Sequence, residues 1–532
     1  MKNKCIIFLF CHSILLLAAC TGGFENDNEI KGGFSDDKKE IDFQNLTAPF
    51  EPIQSGIYFN IGSVGLNWVW QMTQSLNHDM FSGYFMDPIP KFMKSNACYN
   101  LNSGWTNAVW QCTYGYVYTE VQKAEKNFYG NDNLKGYLGI TEILKVELMH
   151  RIADTYGPLV YHQLGETPRV YGLQEAYTRF FADLDEGQQL IREYLDEGGD
   201  NNKFKEYDML TNGKTLKEWL KFANSLRLRL AMRISNVDAT LAKDQATKAL
   251  NDNQGVLEGA RETIAVMGKN YINPLCAVAG WGEVYMNASM ESIVNGYEDP
   301  RGKKWYNTAL LEGYQKQLLG IPIGLPMKDG DANIYSSCSL NTSTIGEKTG
   351  AVLMSAAEVW LLRAEAALRG YTKENPRTCY EYGVSTSFTQ WDCAGASEYL
   401  ESDKTPADYK DVVSGGKVGK DMKALITISP KWEEDADIET KLEKIITQKW
   451  LACWPESYEA WAEQRRTGYP KLFKVQNNTG KVIDTDIMIR RLPFSTDAAT
   501  ADPAQYATLT EKLGGADNGA TRLWWDTGKN SF

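Results

Sequence analysis

Between Asn67 and Phe85 the apolar and polar residues both keep a helical rhythm. Val69, Met72, Leu76 and Met80 recur every three or four residues, the stripe of a core-facing helix. Trp70, Gln74, Asn77 and Phe81 form a second, uncharged stripe, rich in rings and amides, which predicts a helix buried on one side and half-buried on the other. Ser82 and Gly83 end it and leave Tyr84 and Phe85 in a loop. The same period predicts paired helices over Ala108 to Lys126 and Leu134 to Tyr156, separated by the turn "YGNDN". A second pair covers Leu173 to Glu197 and Leu216 to Ser235, with a polar run between them. Further helices are predicted over Asp238 to Asn251, capped by Asp238, over Ala351 to Leu368 and over Lys441 to Gln464. Two stretches lose the period, Glu258 to Ile345 and Thr378 to Pro430. Long irregular segments in a compact protein are usually functional loops.

The spacing at Trp360 to Tyr371, "WLLRAEAALRGY", resembles a tetratricopeptide helix, in which small Ala residues let a neighbouring helix approach. The period is irregular, so the array is a degenerate one. The expected fold is mainly α, a scaffold of tetratricopeptide-like helical hairpins forming an α-α superhelix with long irregular insertions.

The N-terminus adds a destination. Lys2 and Lys4 precede an apolar run from Ile6 to Leu17, too short to span a bilayer, which ends in "LAAC". Small residues before Cys20 match the lipobox of bacterial lipoproteins, so residues 1–19 read as a signal peptide and Cys20 as the lipidated N-terminus, stably anchored by two or three acyl chains. Residues 20–42 are polar and acidic and read as a flexible tether. Glu25, Asp27 and Glu29 just after that Cys resemble the surface-export signal of Bacteroidetes lipoproteins. The expected place is the outer membrane, facing the exterior. With no low-complexity linker in it, the span 43–532 reads as a single domain.

Charge and cysteines narrow the classes. Without Lys2 and Lys4 the chain has 54 basic against 68 acidic residues, and an acidic chain with no basic stripe is a poor nucleic-acid binder. Seven cysteines follow Cys20, in no zinc spacing. Cys98 and Cys112, and Cys379 and Cys393, either close loops or are buried free thiols; the odd number leaves at least one unpaired.

Several blocks, spread over nearly the whole mature chain, resemble one family in order: the lipobox, "RIADTYGPLVYHQLGE" from Arg151, "WLKFANSLRLRLAMRI" from Trp219, "NGYEDPR" from Asn295, "SAAEVWLLRAEAALRGY" from Ser355 and "IITQKWLACWPESYEAWAEQRRTGYP" from Ile445. They look like SusD/RagB-type outer-membrane nutrient-binding lipoproteins, the SusD-like subgroup. The resemblance implies a helical scaffold whose insertions bind glycans, and a partner, a SusC-type TonB-dependent transporter over which the lipoprotein sits as a lid.

Most blocks have a scaffold reading of their own. Arg227, Arg229 and Arg233 alternate with Leu226, Leu228, Leu230 and Met232, so their heads must reach water or carboxylates while the Leu face packs. Asp299, Pro300 and Arg301 fix a turn, and Glu463, Arg465 and Arg466 form a buried ion-pair network.

A sugar offers C–H faces to a ring and hydroxyls to amides and carboxylates, so the binding candidates are aromatics in loops beside such groups. Ser82 to Trp105 offers Tyr84, Tyr99, Asn102 and Trp105, with Phe85 and Asp87; Gly280 to Tyr306 offers Trp281, Tyr285, Asn287 and Trp305, with Glu283. The resemblance places the ligand surface in these two regions. Enzymatic readings find little: the acidic pairs Glu433/Glu434 and Asp435/Asp437 lie in a solvated run, His78, His150 and His162 have no metal spacing, and "KDGDAN" at Lys328 lacks the oxygen pattern of a calcium loop. No metal, cofactor or catalytic residue is expected. The expected function is non-catalytic capture of an oligosaccharide at the cell surface for delivery to the transporter. The alternatives are a peptide-binding RagB-like lipoprotein, a surface glycoside hydrolase and a pure interaction scaffold.

Overall fold

The computed structural model describes residues 44–59, 67–211, 213–268, 271–310, 312–328, 330–335 and 337–529. The segments expected to be a signal peptide and a tether, with Cys20 between them, lie outside the described residues. Two units are distinguished, Met1–Ala48 and Pro49–Phe532. Of the first, the described part carries the one-turn helix Gln44–Thr47; the second holds everything that follows.

Its helices begin where their caps dictate. Thr215 accepts the Glu218 amide while the Glu218 carboxylate reaches back, a capping box that starts Leu216–Arg233. Asp238 accepts the Leu241 amide and starts Ala239–Asn251. The long helices Lys135–Tyr156 and Leu173–Asp196 lie where the period predicted them and pack against each other. Leu216–Arg233 packs with Ala239–Asn251, and Ile438–Cys453 with Ser457–Thr467, so sequence neighbours pair as hairpins.

Three predicted spans change. Ala351 to Leu368 splits into a strand, Ala351–Met354, and a helix, Ala356–Leu368, because Ser355 caps the helix at that point. Lys441 to Gln464 splits at Trp454 and Pro455, since Pro lacks the amide that a continuous helix needs. The supposedly irregular Thr378 to Pro430 opens with the helix Pro376–Gln390, started by an Asn375 cap and Pro376, which pairs with Ala356–Leu368. Its run of Tyr, Val, Ser and Thr concealed a helix that packing stabilises.

The Lys135–Tyr156 helix is buried over almost its whole length, charges included. Buried charges must find partners, and Lys145 there meets Glu142 at 2.6 Å and Arg151 meets Glu456 at 2.5 Å, as charges on the neighbouring helices do. Arg229 holds Glu358 at 2.7 Å, Arg233 holds Glu459 at 2.5 Å and also Glu463, Lys449 holds Glu459 at 2.5 Å, and Arg466 holds Glu365 and Glu463 at 2.7 Å each. Arg227 reaches Asp185 at 2.6 Å, and Arg301 folds back on Asp299 at 2.6 Å. The interleaved Arg residues therefore send their heads to carboxylates, and for Arg229 and Arg233 that happens inside the core. Glu142, Asp183 and Glu186 bring carboxylate oxygens within 4.8 Å of one another, but Lys145 already sits 2.6 Å from Glu142.

All seven cysteines after Cys20 are free thiols. Cys98 and Cys112 are both buried without bonding to each other, and neither are Cys379 and Cys393 joined. Loop closure by disulfides is thus replaced by the other reading, packing of small apolar side chains; burial pushes the Cys112 thiol up to about 11.

Candidate functional site

Two strands of two residues bring the candidate regions together. Phe85 pairs with Met286 and Met86 with Tyr285, antiparallel, and the Asn287 amide donates to the Tyr84 carbonyl at 3.1 Å. The loop after the first predicted helix and the mid-chain insertion are therefore hydrogen-bonded neighbours, although about 200 residues of chain separate them.

Burial sorts the eight predicted binding residues. Trp305 is fully buried, stacked on Trp454 at 4.8 Å and set edge-on to Trp391 at 5.9 Å. Tyr84 is fully buried, with its hydroxyl donating to the Trp450 carbonyl. Tyr99 is buried in left-handed backbone, at φ 56°. Asn287 is buried and spends its side-chain oxygen on the Ser289 amide at 2.8 Å, as the cap of Ala288–Gly296. These four are buried, which corrects the reading of them as exposed ligand contacts: Tyr84 and Trp305 pack against Trp450 and Trp454, far along the chain, and Asn287 serves as a cap. Tyr285 stands in the strand with only 9 % of its surface exposed. Asn102 is exposed and caps the Ser103–Cys112 helix through Gly104, and Trp105 is half-buried, edge-on to Phe92 at 5.5 Å. Trp281 is 48 % exposed.

A second exposed ring escaped the sequence reading. Trp68 is 46 % exposed, in the Asn67–Trp70 helix that continues as a π-helical stretch, Gln71–Asp79. Helix Pro274–Gly280 packs on this helix, and Trp281 is its C-cap. Gly282, at φ 77°, turns the chain there as a Cβ-bearing residue would resist, and delivers Glu283 to Gln71. Gln71 lies one turn beyond Trp68 and donates its amide to the Glu283 carboxylate. Two exposed indoles thus flank an amide–carboxylate pair, on elements fixed to each other by packing. The available signal was the GWGE sequence at Gly280, where glycines on both sides free the Trp, and the position of Trp68 ahead of the buried stripe.

The floor of this platform is acidic. Burial raises the Glu283 carboxyl, with Gln71 and Lys91 opposing it. Asp87, 1 % exposed, follows the paired strand; burial pushes it to about 8, the Ile89 amide opposes this, and the Glu283 charge adds to it.

Comparison with known proteins follows the same architecture. A family model described as SusD-like, Susd and RagB outer membrane lipoprotein, matches residues 26–526. The chain belongs to the SusD-like family. A SusD homologue from Bacteroides vulgatus is 54% identical, with a TM-score of 0.89 over 93% of this chain and 100% of its own. A chitin-binding SusD homologue from Flavobacterium johnsoniae is 34% identical, with a TM-score of 0.85 over 92% of this chain and 100% of its own. A third SusD homologue, from Bacteroides uniformis, is 30% identical, with a TM-score of 0.81 over 91% of this chain and 99% of its own. Among curated proteins no relative matches. The SusD-like family is one of outer-membrane lipoproteins, and among the described residues no helix is long and apolar enough to cross a membrane.

Proposed function

We propose that this chain is a non-catalytic glycan-binding lipoprotein of the cell surface, which captures oligosaccharide and delivers it to a SusC-type TonB-dependent transporter. One observation carries the reading: Trp68 and Trp281 stand exposed beside the Gln71–Glu283 pair. A ring costs free energy to leave in water, and rings beside an amide and a carboxylate match both faces of a sugar. The chitin-binding relative favours a glycan over a peptide as ligand. Hydrolysis is disfavoured, because a glycosidase needs two carboxyls that reach the glycosidic bond, and Asp87, the second carboxyl here, is sealed beneath the surface.

Calorimetric titration of the soluble chain from about Gly32 onward with chito-oligosaccharides and other glycans tests this. By analogy with aromatic–base stacking, Trp68→Ala and Trp281→Ala are each expected to lose on the order of 1–3 kcal/mol of affinity. Their melting temperatures should stay near the parent's, since both rings are half in solvent. Normal binding by both variants would move the site elsewhere.

Anchoring rests on the lipobox. Cys20→Ala is expected to leave the chain unacylated and absent from the cell surface, read by fractionation and by protease accessibility on intact cells. Retention in the outer membrane with surface exposure would overturn the lipid anchor.

A further inference from the structure

The platform has carboxylates with no cation of their own. In the core Glu358, Glu459, Glu463, Glu365 and Asp299 are held by Lys or Arg, while Asp79 and Asp208 are held by hydroxyl and amide donors. Glu283 is half-buried, and among the described residues it forms no ion pair; one of its oxygens takes the Gln71 amide. Asp87 is nearly sealed, has no ion pair among the described residues, and its Oδ2 has no hydrogen-bond partner. The strand register sets Met86 opposite Tyr285, so Asp87 and Glu283 lie within two residues of the same end of the paired strands, and the Glu283 charge reaches Asp87. Lys91, exposed over the Phe92 ring at 4.6 Å, is the cation whose field reaches both, and it touches neither. Burial raises both carboxyls, and at Asp87 the Glu283 charge adds to it.

We propose that the missing cation comes from the ligand, and that the platform selects glycans carrying a free amine, amino sugars that are not N-acetylated, over neutral glycans and over uronates. An ammonium bound at Glu283 donates to the oxygen that Gln71 leaves open, and the exposed rings of the platform add cation–ring attraction. Its charge lowers the cost of ionising the sealed Asp87 beneath. A uronate carboxylate at the same place adds a third like charge and is rejected. This inference rests on the glycan-binding reading of the same platform.

The test compares three probes by calorimetry at low salt: chitohexaose, its fully deacetylated counterpart, and an oligogalacturonate of the same length. The wild-type chain is expected to bind the deacetylated probe about tenfold more tightly than the acetylated one, within the range for a cation over a ring with a charged hydrogen bond, and to bind the uronate weakest. Glu283→Gln is expected to erase the preference for the amine. In the wild type the preference should also collapse in 1 M salt, whether or not the variant folds. A chain that binds the acetylated probe through Trp281 with no amine preference, or whose preference survives both Glu283→Gln and high salt, overturns the amine selectivity and leaves glycan binding standing. A chain that binds none of these, and no other glycan of the panel, overturns both. Preference for the uronate, or binding abolished by a chelator, assigns the carboxylates to a metal ion bridging the sugar and overturns the amine.

Discussion

Glu459→Ala is expected to cost ~3–5 kcal/mol of stability. The carboxylate meets Arg233 and Lys449 at 2.5 Å each and Arg229 at 3.6 Å, and all four side chains are buried. Alanine leaves three buried cations packed together with their shared anion gone. Urea unfolding should show a lower midpoint at an unchanged slope. A loss under ~1 kcal/mol would mean that Glu463 and Glu358 suffice for the cluster. The effect has a pH signature. Burial alone would raise the Glu459 carboxyl, but Arg233, Lys449 and Arg229 outweigh it and hold the group at about 2, below its ordinary 4.5. A pKa lowered by folding adds stability above the ordinary value and loses it as pH falls through the folded one. The gap between wild type and variant should therefore be full above pH 4.5 and narrow as pH falls towards about 2.

Trp305→Ala is expected to cost ~3–5 kcal/mol by opening a cavity against Trp454 and Trp391. Below its lowered melting point the variant should bind glycan as the parent does. Trp281→Ala should do the reverse, melting normally and binding weakly. Melting and titration of the two side by side separate a ring that holds the fold from one that holds the ligand. If Trp305→Ala melted normally and lost binding, the assignment of these two rings would be exchanged.

Those two tryptophans also show what the sequence could and could not convey. Both sit in one aperiodic stretch, and both look like loop rings. Glycines at 280 and 282 surround Trp281 and leave it in solvent, a local signal that can be read from sequence. Trp305 is buried by Trp454, some 150 residues away, and no local pattern carries that contact. The helices were legible because caps and period are local: Asp238 and Leu216–Arg233 stand where predicted. The first predicted helix was half legible. Its wheel assumed 3.6 residues per turn, whereas Gln71–Asp79 winds as a π-helix, so Gln74 and Asn77 turn inward and join the core. Trp68 stands ahead of that stretch, on the part that still faces water. The interleaved Arg residues were read with water and carboxylates both open; only tertiary packing brings Glu358, Glu459 and Glu463 to them.

The Arg233 cluster also dictates an order of events. Arg233 lies 230 residues ahead of Glu463, so a growing polypeptide makes the cation long before the anions that neutralise it. A fragment that ends ahead of Ser457 holds Arg233 with Asp154 alone, at 3.2 Å. Closing the helices around it at that stage would bury it without two of the three carboxylates that it meets in the fold, Glu459 and Glu463. Contacts across so long a stretch of chain are expected to form late and to slow folding. The Ser457–Thr467 helix thus supplies the counter-ions of a helix in the middle of the chain, and truncations ahead of it are expected to leave the Arg233 cluster unclosed.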